Sequence, residues 1–192
     1  MMRLLLFLLL VFAGQAYGLT TVVIDAGHGG HDRGGVPGQR ISEKVLTLDV
    51  ARRVNAILRA RGLQTVMTRS NDTFIPLPRR VAIGNARRNA IFVSIHFNSA
   101  PREGARGFET YYYSRASRGI ATRIQRRLLR TCATENRGVK QRGYFVLRRA
   151  RIPAVLVECG FLSNRREGAL CLMAAHRQRL AEAIAQGILD SR

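Results

Sequence analysis

Short apolar, β-branched runs alternate along this chain with longer segments of helical periodicity, and that alternation constrains the fold more than any other feature. Residues 21–25 (TVVID), 63–67 (LQTVM), 91–95 (IFVSI), 108–113 (FETYYY), 144–147 (YFVL) and 154–157 (AVLV) are the expected strands. Several are apolar throughout, as strands covered on both faces are. Helices are expected over about 43–60, with Leu46, Val50, Val54, Ile57 and Leu58 on one stripe, over about 78–89, over about 117–129 with Ile120, Ile124 and Leu128, and in a last segment ending near Asp190. Gly62 suits a helix stop and Pro78 a first turn. The order predicts an α/β fold: a mostly parallel, twisted central sheet of about six strands, flanked by helices on both faces, in a single domain. In such sheets active sites gather beyond the carboxyl ends of the strands.

The chain has 192 residues, 46% of them hydrophobic, which is enough for one buried core and excludes disorder of the whole. Residues 1–18 read as a secretory signal. Arg3 gives a short positive start, Leu4 to Phe12 an apolar run too short to span a bilayer comfortably, and Ala16-Tyr17-Gly18 a small-x-small cleavage site. An uncleaved anchor is the alternative. The domain proper is then 19–192, exported to the periplasm or the extracellular space, with no membrane contact after cleavage and a monomer expected. Three cysteines without metal-finger spacing exclude a dense disulfide framework, and leave a Cys132–Cys171 bridge open. A net charge of +20 asks for an anionic partner, and export argues against nucleic acid. The run 115–151 holds 12 Lys/Arg and a single acid, Glu135. It is expected to draw the chain to an anionic wall polymer, although part of it fits a solvated helix face.

Chemistry-bearing residues fall where the strands end. The first runs into Asp25-Ala26-Gly27-His28-Gly29-Gly30, whose glycines permit a tight turn around His28. The third ends in Ser94-Ile95-His96-Phe97-Asn98, which puts a second imidazole on the same edge. Glu43 follows Ser42, a good N-cap, at the start of the first helix, where the helix dipole keeps a carboxylate ionised. Two imidazoles and a carboxylate form the set used by catalytic zinc, with a position left for water. The last strand brings Glu158 to that edge. A carboxylate after an apolar run is costly without a task, and the task of a general base is open to it, as are a fourth ligand position and an ion pair with an arginine. His31 is the rival of His28 as a ligand, and His176 is expected at the surface. Asp25 and Asn98 are read as groups that support the ligands or contact substrate, with a structural turn role open to each. The period of two turns Cys159 away from Glu158, which weakens a cysteine hydrolase built on Cys159 and His96.

At these residues the sequence resembles the zinc-dependent N-acetylmuramoyl-L-alanine amidases of the Amidase_3 family. The segments carrying the resemblance are VVIDAGHGG (22–30), SEK (42–44), VMTR (66–69), LPRRVAIGNA (77–86), IFVSIHFNSA (91–100), GFETYYYS (107–114), YFVLR (144–148) and PAVLVECGFLSN (153–164). The resemblance implies that His28, Glu43 and His96 bind one Zn2+ and that Glu158 is the catalytic glutamate. It implies a peptidoglycan hydrolase that cleaves the amide between the lactyl group of N-acetylmuramic acid and L-alanine. A catalytically silent, secreted peptidoglycan- or polyanion-binding module of the same fold is the alternative. Regulated Gram-negative members carry an occluding helix after the fourth strand, whereas here Tyr113 is followed at once by Ser114-Arg115-Ala116-Ser117. That departure implies an open site with no need of an activator.

Overall fold

The computed structural model describes residues 18–36, 39, 41–102 and 104–192, so the expected signal at 1–18 lies almost wholly outside the described residues. Six strands form one sheet: β1 (Thr21–Ala26), β2 (Gln64–Met67), β3 (Ala90–Asn98), β4 (Phe108–Tyr112), β5 (Asn136–Gln141) and β6 (Ala154–Phe161). Their order is β2-β1-β3-β6-β4-β5, and every neighbouring pair is parallel except β4 with β6. Six helices accompany them: α1 (Glu43–Ala60), α2 (Leu77–Asn85), α3 (Arg115–Leu128), α4 (Phe145–Arg148), α5 (Arg165–Leu172) and α6 (Ala174–Leu189). No described helix is long and apolar enough to cross a membrane.

The alternation of side chains along each strand supplies two separate cores. On one face Val22, Ile24, Val93, Val155 and Val157 meet Val54 of α1, Ile124 of α3 and Ile184 of α6. On the other, Val23, Phe92, Tyr111 and Leu156 are covered by Val81 of α2 and by Val146 and Leu147 of α4. The helices therefore flank the sheet on both faces, as the sequence predicts. Gly187 of α6 lets the long helices close: a Cβ there would lie 2.6 Å from the Ile124 backbone.

Two elements differ from expectation. Residues 144–147 are not a strand; Phe145–Arg148 forms the single-turn helix α4, with Val146 and Leu147 buried. A four-residue apolar run fits a strand and a buried helical turn equally well, and here the polar start at Gly143 and Tyr144 leads into the turn. The sixth strand is instead β5, a polar edge strand (NRGVKQ) without apolar alternation that pairs with β4 through its backbone. The three cysteines are free thiols, with no Cys132–Cys171 bridge. His176, expected at the surface, is 2% exposed on the buried face of the first turn of α6, and burial followed by the charges of Arg179 and Arg177 pushes it down to about 4.

Candidate active site

The site lies at the carboxyl edge of β1, β3 and β6. After β1 the chain turns through Gly27 and His28, the latter in the left-handed region at φ 59°. Only glycine fits at 27, because a Cβ there would lie 2.3 Å from Cε1 of the His96 ring. Two buried guanidinium groups hold this turn by its carbonyl oxygens. Arg69 donates to Ala26 O at 2.9 Å and Gly27 O at 2.7 Å. Arg80 donates to Ala26 O at 2.6 Å and His28 O at 2.7 Å, and its Nη1 also meets Asp25 Oδ1 at 2.8 Å. Asp25, 1% exposed, accepts further hydrogen bonds from Thr68 and Ser94, both at 2.6 Å. Its carboxylate thus braces the floor of the site.

His28, Glu43 and His96 converge from three elements, with one potential ligand atom from each within 4.8 Å of the others. His28 Nε2 is 3.0 Å from Glu43 Oε2, and His96 Nδ1 is 2.9 Å from Glu43 Oε1. The Phe97 amide adds a hydrogen bond to Glu43 Oε1 at 3.0 Å. Burial alone would raise the Glu43 carboxyl, but the two imidazoles outweigh it and hold it near pKa 2. Burial likewise works to lower His28, and Glu43 and Asp32 overcome it and raise its proton affinity. Asp32 Oδ2 sits 2.9 Å from His28 Nδ1, an outer carboxylate that fixes the ring and leaves Nε2 for a ligand role. Ser42 stands at the N-cap but its side chain makes no cap; it donates to Arg33 O at 3.3 Å instead. This donor set, two imidazole nitrogens and one ionised carboxylate with an oriented outer shell, fits a catalytic zinc ion.

Glu158 is in register with His96 on β3 and with Glu109 on β4. Its Oε2 is buried and has no hydrogen-bond partner. Burial first, then the nearby charges of Glu43 and Glu109, push its carboxyl well above the usual range. Glu109 is itself 2% exposed. It accepts from Lys140 Nζ at 2.5 Å and from Asn98 Nδ2 at 2.7 Å, with Arg137 Nε at 3.6 Å. Asn98 is oriented from both ends of its amide: Nδ2 donates to Glu109, and Oδ1 accepts from the Ser99 amide at 2.9 Å. Glu158 and Asn98, with His28, Glu43 and His96, line a cavity of about 590 Å³ walled by Phe74, Leu77, Tyr144 and Phe145. A larger groove of about 1100 Å³ between α1 and α5 is lined chiefly by apolar side chains, with Arg165 the charged group among its described lining residues, so the chemistry belongs to the smaller cavity.

His31 stays outside this cluster and stacks on Phe74, ring centroids 4.2 Å apart. Cys159 points into the opposite core, 0% exposed, and burial pushes its thiol up, so it does not share a face with His96. Sequence reasoning missed Asp32, Arg69, Arg80, Glu109 and Lys140. A signal existed for three of them: Arg69 and Arg80 interrupt or follow apolar runs, and Glu109 sits inside an aromatic strand, where a charge needs a partner.

A six-stranded α/β sheet carrying a two-imidazole, one-carboxylate cluster beside a buried glutamate defines a candidate metal-dependent hydrolase. The Amidase_3 family model, described as N-acetylmuramoyl-L-alanine amidase, matches residues 22–190, and the chain belongs to that family. The N-acetylmuramoyl-L-alanine amidase LytC of Bacillus subtilis is 38% identical over 174 residues, covering 88% of this chain but 35% of LytC. The chain thus spans about a third of that relative's length. The catalytic domain of CwlV, an N-acetylmuramoyl-L-alanine amidase from Bacillus (Paenibacillus) polymyxa var. colistinus, superposes with a TM-score of 0.85 at 37% identity, covering 90% of this chain and 97% of that one. The amidase AmiC2 of Nostoc punctiforme gives 0.84 at 39% identity, covering 91% and 97%.

Proposed function

We propose that this chain is an exported, zinc-dependent peptidoglycan amidase that hydrolyses the amide between the lactyl group of N-acetylmuramic acid and L-alanine of the stem peptide. His28, Glu43 and His96 would hold the zinc ion. When bound, it polarises the scissile carbonyl and lowers the pKa of water toward about 7. Glu158 accepts the proton of the attacking water as the oxygen adds to the carbonyl carbon, then delivers it to the alanine nitrogen as the C–N bond breaks. Asn98, held by Glu109, presents its remaining N–H to the cavity as a donor for a substrate carbonyl. The observation that carries this reading is the unpartnered Oε2 of Glu158, in register with His96 and beside the cluster.

The test is release of free N-terminal L-alanine from purified peptidoglycan. Release by the parent, abolished by a chelator and restored by zinc, is the expected result. Glu158→Gln should retain the metal and lose about 10²–10⁴-fold in kcat, the usual weight of a general base. Metal-loaded, folded protein that releases nothing would overturn the proposal in favour of a silent binding module. Export predicts a mature protein that begins at Leu19, which N-terminal sequencing of the secreted product reads directly.

A further inference from the structure

The charge of this chain is not spread evenly over its two helical layers. The layer of α1, α3, α5 and α6 contains Asp49, Glu167, Glu182 and Asp190, and several of its arginines are neutralised there, including Arg127 by Asp190 and Arg53 and Arg177 by Asp49. The layer of α2 and α4 has no acid at all: residues 73–102 and 136–157 lack both Asp and Glu. The basic run 115–151 is consequently not one surface, since α3 and α4 lie on opposite faces of the sheet, and Arg137 and Lys140 are taken up by Glu109.

Arg79, Arg87, Arg88, Arg148, Arg149 and Arg151 are all exposed on the acid-free layer, and the side chain of none has an ion-pair or hydrogen-bond partner. Segments more than 50 residues apart bring them together. Asn85 Nδ2 donates to Arg149 O at 3.1 Å, and Asn85 Oδ1 accepts from the Arg151 amide at 2.7 Å. The C-terminal end of α2, with Arg87 and Arg88 just beyond it, is thereby tied beside Arg149 and Arg151. The stripe begins at the cavity mouth, where Leu77 and Tyr144 stand 51% and 44% exposed, and runs down the side of the molecule. From Arg79 to the end of α2 at Asn85 the helical rise covers roughly 9 Å. Asp25, Asp72 and Glu109 are each already paired, with Arg80 at 2.8 Å, Lys44 at 2.6 Å and Lys140 at 2.5 Å.

We infer that this arginine stripe is a docking surface for the carboxylates of stem peptides next to the one being cut, so that the enzyme holds polymeric peptidoglycan while its cavity works on a single amide. The inference rests on the proposed amidase reading. Planar guanidinium groups pair with carboxylates in a bidentate manner, and a one-signed surface beside a cleft raises the local concentration of an oppositely charged substrate. None of the six arginines lines the cavity that holds His28 and Glu158, so the stripe acts on retention and not on chemistry.

The experiment compares three proteins: the parent, Arg87→Gln/Arg88→Gln/Arg149→Gln/Arg151→Gln, and an α3 control, Arg118→Gln/Arg123→Gln/Arg126→Gln/Arg130→Gln. Each is assayed for co-sedimentation with peptidoglycan stripped of phosphate polymers, and for hydrolysis of a small soluble muropeptide. The stripe variant should bind the stripped polymer about tenfold more weakly or worse, lose most of its salt dependence, and hydrolyse the small muropeptide like the parent. The α3 control should bind like the parent. Amidating the polymer's carboxylates should weaken the parent to the level of the stripe variant. Equal loss in the α3 control, unchanged binding by the stripe variant, or parent binding that survives amidation or needs the phosphate polymers would each overturn the inference. Failure of the parent on the small muropeptide would instead refute the amidase reading, because sedimentation does not depend on turnover.

Discussion

Glu158 is held in a position that favours its neutral form, and this has a cost that can be read in stability. Its folded-state proton affinity is raised above the ordinary value of 4.5. As pH climbs past that value the unfolded chain ionises while the folded chain does not, so folding loses free energy until the folded group also titrates. Metal-free Glu158→Gln should therefore melt higher than the metal-free parent at neutral pH, with the gap closing below about pH 4.5, as calorimetry across pH would show. Glu109 contributes to the raised affinity through its own charge, kept ionised against burial by Lys140 and Tyr111. Glu109→Gln should move the acidic limb of the kcat–pH profile to lower pH, because Glu158 then gives up its proton more readily. An unmoved limb would show that Glu109 acts through Asn98 alone. At this scale the cluster of His28, Glu43 and His96 was legible because strand ends and a helix start are marked in sequence by glycines and by a serine at the N-cap position. The braces were not, since Arg69, Arg80 and Lys140 reach their partners across 43, 55 and 31 residues.

Among the elements, the junction of β4, β6 and α5 is stapled by one buried carboxylate. Glu167, 5% exposed, accepts from the Gly107 amide at 2.9 Å, the Phe161 amide at 2.8 Å and the hydroxyl of Thr134. Asn164 caps α5 by accepting from the Arg166 and Glu167 amides, both at 3.1 Å. Glu167→Ala should cost about 1–3 kcal/mol for each amide left unpaired, measured by denaturant unfolding, with metal stoichiometry preserved because the site lies elsewhere on the sheet edge. The strands that carry the site were readable because both of their faces are buried, which writes a continuous apolar run. β5 was not, because an edge strand pairs through its backbone and a single apolar side chain, Val139, is all that it packs on the core. α4 was misread for the converse reason: its two buried residues satisfy a strand pattern as well as a helical one.

At the scale of the whole molecule, no helix among the described residues is inserted between β4 and α3. Only Tyr113 and Ser114 separate β4 from α3, which leaves no length for an occluding helix at that junction. The purified protein should thus cleave peptidoglycan at full rate alone, and a large stimulation by cell extract would contradict that expectation. Overall architecture was legible from the alternation of runs, whereas the division of charge between the two layers was not, because it depends on which helix covers which face. The polarity of β1 has one more consequence. The strand enters the sheet at Thr21 and delivers its turn to the site after Ala26, so the two ends of this six-residue strand stand roughly 17 Å apart. A bead, fusion partner or electrode surface joined ahead of Leu19 would therefore meet the side of the domain opposite the cavity, and an immobilised preparation would turn its mouth outward toward insoluble substrate.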